Sequence, residues 1–215
     1  LIEELSRVAG PEKAKGKVIL AHLGNGASLA AVNDGKSIDT SMSFTPTAGV
    51  MMSTRSGDLD PGLFLYLKST EKMDAEKFNE MVNFQSGLLG ISATSSDMQT
   101  LFNIETEDAR AAEAVAMFCY QVKKQIGSYA AALGGLDTLV FAGGIGENAP
   151  LVRTRICERL QFLGIELHET RNAQSAGVIS SDTGKVTVRV IHTDEEYMIA
   201  KTVCRILGLG TTKEN

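Results

Sequence analysis

Apolar positions along the chain fall into two periods. Val115, Cys119, Val122, Ile126, Ala130 and Leu133 are spaced by threes and fours, which puts them on one face of a helix and predicts a core-facing stripe over residues 107–133. Gly134-Gly135 stops that pattern. Val152, Ile156, Leu160 and Leu163 repeat the spacing and predict a helix over 150–163; Ala75, Phe78 and Val82 predict another over 74–83. Short unbroken apolar runs carry the second signature. Residues 18–22, 27–32 and 137–142 read as strands, with further candidates at 37–40, 164–167, 178–180 and 186–191. Leu23-Gly24-Asn25-Gly26 and Asn33-Asp34-Gly35 separate the first three runs, and Asn-Gly and Asp-Gly between strands are hairpin signals.

Capping chemistry sets the remaining boundaries. Asp60 before Pro61 predicts the start of a helix over 62–69. Ser95 and Ser96 are cap candidates for a helix through Leu101, and Thr193 with Glu196 forms a capping box for a last helix through Leu207. Residues 1–8 read as a helix, 9–17 as a polar connector, 85–91 as a short apolar piece, 143–148 as a tight loop and 168–176 as a polar loop. The 44–60 stretch, dense in Thr, Ser and Gly, is long for a connection without regular structure, a length associated with function. Strands and helices mix throughout, so the fold class is α/β.

Composition narrows the partners. The 215 residues are 43% hydrophobic and 22% charged, and carry a formal charge of −5. There is no long basic run, which argues against nucleic-acid or membrane-surface binding, and no apolar run nears the roughly 20 residues that span a bilayer. An anionic ligand would therefore depend on local backbone groups, one or two basic side chains and a metal. Cys119, Cys157 and Cys204 are far apart in apolar helical patterns and read as buried free thiols in a reducing, cytoplasmic compartment. Three scattered histidines make a zinc site an unpromising reading.

Two glycine-rich segments carry candidate chemistry. Gly24 and Gly26 would let the backbone reach positive φ and let a ligand approach the main chain; successive N–H groups in such a turn suit phosphate, although an ordinary tight turn uses the same residues. His22 is either a phosphate donor or a satisfied rim histidine, and Asn25 either a phosphate contact or a residue suited to left-handed geometry. Gly143–Asn148 follows a strand and opens a helix, a ready phosphate cradle. It also satisfies a dinucleotide fingerprint, Gly144-x-Gly146-x-x-Ala149 with Glu166 about 20 residues on, so an NAD-dependent dehydrogenase competes. Arg55 is the only basic residue between Lys36 and Lys68. It could stabilise a phosphoryl group or pair with Asp58 or Asp60. Glu195 could help hold Mg²⁺ or complement the helix dipole, and Asp97 could take a sugar hydroxyl or cap a helix.

Together these segments resemble the C-terminal half of the acetate kinase family. The resemblance rests on His22-Leu23-Gly24-Asn25-Gly26-Ala27-Ser28, on Asp39-Thr40-Ser41-Met42 with Phe44-Thr45-Pro46, and on Thr54-Arg55-Ser56-Gly57-Asp58-Leu59-Asp60-Pro61. Gly143–Asn148 and Thr193-Asp194-Glu195-Glu196 complete it, so that it runs from about Val18 to Leu207. It implies a ribonuclease H-like domain of the actin, hexokinase and sugar-kinase superfamily, with a mixed sheet flanked by helices. It implies ATP or ADP as nucleotide, Mg²⁺ as metal, a short-chain carboxylate as acceptor, and a homodimer. His22, Leu23, Gly24, Asn25 and Gly26 would contact phosphates. Asp97, Met98 and Gln99, with Gly143, Gly144, Ile145, Gly146, Glu147 and Asn148, would form the nucleoside side. Arg55 would stabilise the transferring phosphoryl, and Glu195 would serve Mg²⁺. Gln99 stands where the family commonly has arginine, His192 where it has proline, and Thr47-Ala48 where it has a bulkier, acidic pair. The family's N-terminal phosphate loop, carboxylate-binding arginine, catalytic aspartate and Phe-His-Gly-Thr-Ser-His motif do not occur here. Residues 1–17 are accordingly expected as a helix remnant and connector from a missing N-terminal half, and 18–215 as the C-terminal nucleotide-binding domain. Acceptors other than acetate, namely propionate or butyrate, stay open, as does a non-catalytic nucleotide-binding and dimerisation module using helix 107–133.

Overall fold

The structure, a computed structural model, describes residues 1–209, without the side chain of Glu195. Its centre is one mixed sheet of β1 (Val18–Leu23), β2 (Ala27–Asn33), β3 (Lys36–Thr40), β4 (Thr138–Ala142) and β5 (Thr187–Val190), in the order β3-β2-β1-β4-β5. The first three strands form an antiparallel meander; β4 runs parallel to β1, and β5 parallel to β4. Asp34 and Gly35 turn between β2 and β3 with φ of 51° and 70°, the left-handed pair that a two-residue hairpin requires.

Side chains alternate across the sheet. Ile19, Ala21 and Leu23 of β1, Leu29 of β2, and Leu139 and Phe141 of β4 join the main core, whereas Val18 and Val140 join a smaller one on the other face. Burial on both faces is why the central strands read as unbroken apolar runs. Helix Ala109–Leu133 packs on the first face, and every position of the predicted stripe is buried. It starts where the Asp108 carboxylate accepts the N–H groups of Arg110 and Ala111, and ends at Gly134 in left-handed conformation. On the second face, Leu5 of helix Ile2–Ala9 and Ala14 of helix Pro11–Lys15 pack against Val18, Val32, Val140 and Ile191.

Several local expectations give way to tertiary structure. The connector at 9–17 contains helix Pro11–Lys15, with Pro11 in its first turn, where the missing N–H is harmless. The apolar piece at 85–91 forms helix Gly87–Ser92, the loop at 143–148 is helix Gly143–Asn148, and the polar loop at 168–176 holds helix Glu169–Ala173. The helix over 150–163 stops at Cys157, since Arg159 turns left-handed at φ 65° before a single 3₁₀ turn. The strands at 164–167 and 178–180 reduce to isolated bridges, Leu167 to Ser180 and Val178 to Arg189.

Two predicted caps also shift by one or two residues. Asp97, not Ser95 or Ser96, caps helix Met98–Ile104, its carboxylate accepting from Thr100 N–H at 2.7 Å. Asp194, not Thr193, caps helix Glu195–Ile206 by accepting from Tyr197 N–H at 2.8 Å. The hydroxyls are engaged elsewhere: Ser95 Oγ accepts from Asp97 N–H at 3.0 Å, and Thr193 Oγ1 donates to Glu147 Oε1 at 2.9 Å. The cysteines are free, but only Cys119 and Cys157 are buried; Cys204 is exposed on the last helix. Burial pushes the Cys119 thiol up to about 11 and the Cys157 thiol up to about 12, so neither is a nucleophile near neutral pH. No helix among the described residues is long and apolar enough to cross a membrane.

Candidate functional site

Parallel pairing of β1 with β4 brings their C-terminal ends side by side, with His22 opposite Ala142. The two glycine segments leave the sheet at this point. Their backbones nearly touch: a Cβ added to Gly24 would lie 4.0 Å from the Gly144 nitrogen. Between them opens a cavity of about 400 Å³ lined by His22, Gly24, Asn25, Gly26, Gly143 and Gly144. Ser28, Met42 and Thr193 complete its wall. Ser28 is opposite His22 in the β1–β2 register, and Thr193 follows β5. Crevices beyond the carboxyl ends of parallel strands are the usual ligand sites of open α/β sheets.

The physical reason for the glycines differs from the expected one. Neither Gly24 nor Gly26 has positive φ, and Asn25 is not left-handed. Close approach explains Gly26 instead: a Cβ there would stand 3.3 Å from Arg55 Nη1. Asn25 is tied to the Arg55 loop as well, its carbonyl accepting from Ser53 N–H at 3.2 Å. At the second segment, positive φ does occur. Gly143 has φ 76°, and a Cβ there would lie 2.8 Å from the Leu23 carbonyl oxygen. Gly143 N–H does not face an anion, however, because it donates to Glu147 Oε1 at 2.9 Å. The cradle of free N–H groups expected there is thus partly filled by the protein's own carboxylate.

Arg55 has no ion pair with either expected acid. Asp58 accepts from Gly49 N–H at 2.8 Å, and Asp60 accepts from Gly62 N–H at 2.7 Å. The guanidinium donates to the Pro46 carbonyl at 3.2 Å and meets Met52 Sδ at 3.4 Å, which leaves most of its five N–H donors unused by acids. No carboxylate lines the cavity among the described residues. Among the described residues, a guanidinium with no acid partner thus stands beside Gly26 of the cavity, a placement that favours an anion there.

Other expected residues stand elsewhere. Leu23 is buried in the core. Met98 is also buried, the Asp97 carboxylate is engaged by Thr100, and Gln99 donates to Asn103 Oδ1 at 3.2 Å; none of these three lines the cavity. Ile145, Gly146 and Asn148 share the Gly143–Asn148 helix without lining the cavity, and Asn148 Nδ2 donates to the Gly144 carbonyl at 3.0 Å. The Glu195 side chain lies outside the described residues, though its main chain opens the last helix two positions after Thr193. Ser28, Met42 and Thr193 belong to the family motifs quoted above but have no binding role assigned there. The strand register places Ser28 opposite His22; for Met42 and Thr193 only motif membership points to the site.

The dinucleotide reading fails on geometry. Glu166 accepts from Ser181 and Thr183 hydroxyls at 3.3 and 3.2 Å, in the excursion before β5. A ribose-binding acid would stand at the end of that strand, where Ile191 and His192 are found.

For a divalent cation, the described residues contain no group of three His, Cys, Asp or Glu able to form a cage. Mg²⁺ is commonly held by one or two carboxylates together with substrate phosphates. The acidic 194–196 segment beside the cavity fits that mode and would not suit a metal bound by protein alone.

Comparison with known proteins matches this arrangement to one family. A family model described as the acetokinase family matches residues 2–201. The acetate kinase of Porphyromonas gingivalis (strain ATCC BAA-308 / W83) is 45% identical over 204 residues, which are 93% of this chain and 51% of that protein. A propionate kinase of Yersinia enterocolitica is 46% identical over 191 residues, 88% of this chain and 46% of that protein. The crystal structure of Porphyromonas gingivalis acetate kinase superposes with a TM-score of 0.85 at 45% identity, covering 90% of this chain and 49% of that one. The chain thus spans about half the length of the curated relatives it matches.

Proposed function

This chain belongs to the acetokinase family, and from that premise we propose that it is the nucleotide-binding half of a short-chain carboxylate kinase. The whole enzyme would transfer the γ-phosphoryl of ATP to acetate, reversibly, giving acetyl phosphate and ADP. Propionate is the second acceptor, supported by propionate kinases as similar to this chain as acetate kinases are. The observation that carries this reading is the shared cavity of the two glycine segments, with Arg55 lying over Gly26.

Little covalent chemistry falls to the protein. A carboxylate oxygen attacks the γ-phosphorus in line, the bond to the β–γ bridging oxygen breaks, and ADP departs. Catalysis is then alignment plus neutralisation of charge on the moving group. His22, Gly24, Asn25 and Gly26 line the phosphate end. Asp97, Met98 and Gln99, with Gly143–Asn148, take the nucleoside side, Met98 through its main chain since its side chain is buried. Arg55 supplies the charge that stabilises the equatorial oxygens. Mg²⁺, bound through the nucleotide phosphates with Glu195 as its protein ligand, would offset phosphate charge.

The acyl side would come from the half of a family-length polypeptide outside this chain. Helix Glu195–Ile206 supports such a partner: among the described residues, Tyr197, Met198, Ile199, Val203 and Ile206 are all exposed on it, an apolar face suited to a neighbour. A homodimer in the cytoplasm belongs to the same reading. Its interface cannot use the stripe of helix Ala109–Leu133, which is buried in this chain's own core.

Two outcomes follow. Calorimetry on the 215-residue chain should show binding of MgADP and none of NAD; binding of NAD alone would reinstate the dehydrogenase. The same chain should form no measurable acetyl phosphate from ATP and acetate, and robust turnover would refute the division into halves.

A further inference from the structure

We propose that Glu147 is a positioning residue that holds the β4 and β5 walls of the cavity in register; this rests on the nucleotide-site reading and deepens it. Glu147 is only 8% exposed and does not line the cavity. Its Oε1 accepts from Gly143 N–H, Thr193 N–H and Thr193 Oγ1, each at 2.9 Å, and its Oε2 lies 2.7 Å from His192 Nδ1. Gly143 and Thr193 both line the cavity, yet they leave the sheet from different strands. The last backbone bond between those strands is Ile191 N–H to the Phe141 carbonyl, at 3.0 Å. Beyond it the β4–β5 ladder stops, and the Glu147 carboxylate takes over as the cross-link.

An acid that consumes two backbone donors beside an anion cavity is costly for binding unless it sets the geometry of the rest. Its ionisation is consistent with that role. Burial raises the carboxyl, but the hydrogen bonds from Thr193, His192 and Gly143 outweigh it and hold the group below its usual range. An ionised carboxylate only accepts, so His192 Nδ1 carries the proton. The helix that bears Glu147 is anchored from its other end too. Arg153 is fully buried, and its Nη1 donates to the carbonyls of Gly146 and Glu147 at 2.8 and 2.9 Å. Asn172 and Ser175 receive its remaining donors. The short helix is therefore clamped at its C-terminal end by Arg153 and tied at its start to Thr193 by Glu147.

A double-mutant cycle on MgADP affinity, read by calorimetry on this chain, tests the assignment. Glu147→Ala removes both carboxylate oxygens and with them the ties to Gly143, Thr193 and His192; Thr193→Val removes the hydroxyl. Each single change is expected to weaken MgADP about tenfold, and the double change by about the same factor, since both break one tie. Factors that multiply to about a hundredfold would make Glu147 an independent contact and overturn the positioning role. Unchanged affinity with a lowered melting temperature would reduce Glu147 to fold stability. Should Glu147→Ala fail to fold, His192→Ala removes one donor from an exposed position and is expected to weaken MgADP about threefold; no change there overturns the tie. Absence of MgADP binding by the unaltered chain is a separate result, which removes the nucleotide reading itself.

Discussion

Replacing Arg55 by alanine in the family-length enzyme is expected to lower kcat by about 10³-fold or more, the scale on which arginines aimed at a transferring phosphoryl act. The expectation comes from where the charge is and what it lacks. Arg55 does not line the cavity itself, but a Cβ on Gly26, which does, would stand 3.3 Å from its Nη1; its protein acceptors are the Pro46 carbonyl and Met52 Sδ, and the nearby Asp58 and Asp60 carboxylates are taken by backbone N–H groups. A guanidinium held without an acid is available to an anion that arrives. Arg55→Lys should restore little, because a point charge on a flexible stem does not reproduce the planar fork. Steady-state kinetics with saturating ATP decides the matter. A fall in kcat under tenfold would mean that Arg55 serves the loop and not the reaction.

Gly87→Ala is expected to cost about 3 kcal/mol or more, from left-handed backbone strain plus overpacking, and to lower the melting temperature by roughly 10 °C. Gly87 has φ 63°, and a Cβ there would fall 2.1 Å from the Met52 carbonyl oxygen and 2.8 Å from that of Arg55. The helix it opens, Gly87–Ser92, is what holds the Arg55 loop. Ser86, Leu88 and Leu89 donate their N–H groups to the carbonyls of Thr54, Met52 and Ser53 at 2.9, 2.9 and 3.0 Å. Donors that a helix start would otherwise leave unpaired thus fix the loop from below. Pushing the helix away should loosen Arg55 even in molecules that remain folded, so activity should fall further than stability alone dictates. Gly127→Ala is the matched control. It lies inside helix Ala109–Leu133 with nothing within 4 Å of an added Cβ, and should stabilise by about 0.5–1 kcal/mol. Thermal melts of the two variants side by side would contradict this account if Gly87→Ala behaved like Gly127→Ala.

What could be read from sequence follows from the range of the forces involved. Helix Ala109–Leu133 and strands β1, β2 and β4 are written in local periodicity, because each buries a face wide enough to fix its own pattern. The Asp34-Gly35 hairpin is legible because left-handed backbone demands particular residues. Helix Gly143–Asn148 is not legible: five of its six positions are Gly, Asn or Glu with no apolar stripe, and distant partners hold it, Arg153 on its last carbonyls and Thr193 on Glu147. Thr193 looked like a cap because its sequence neighbours fit a capping box, but its hydroxyl is claimed by Glu147 across 46 positions. Gly24 and Gly26 drew attention for positive φ, which neither has, and for close approach to a ligand; the close neighbour in the structure is Arg55 at Gly26. The family motifs marked the segments that meet. Which side chains face the cavity and which tie its walls together depends on the pairing of β1, β4 and β5, and no single stretch encodes that.

Amide-resolved NMR of this chain during titration with MgADP tests the shared nucleotide site most directly. The expected result is one saturable set of shifts that includes Gly24, Asn25, Gly26, Gly143, Gly144 and Thr193 together, moving with a single dissociation constant. Shifts confined to one glycine segment, or clustered away from both, would contradict a cavity in which the two turns grip the same phosphates.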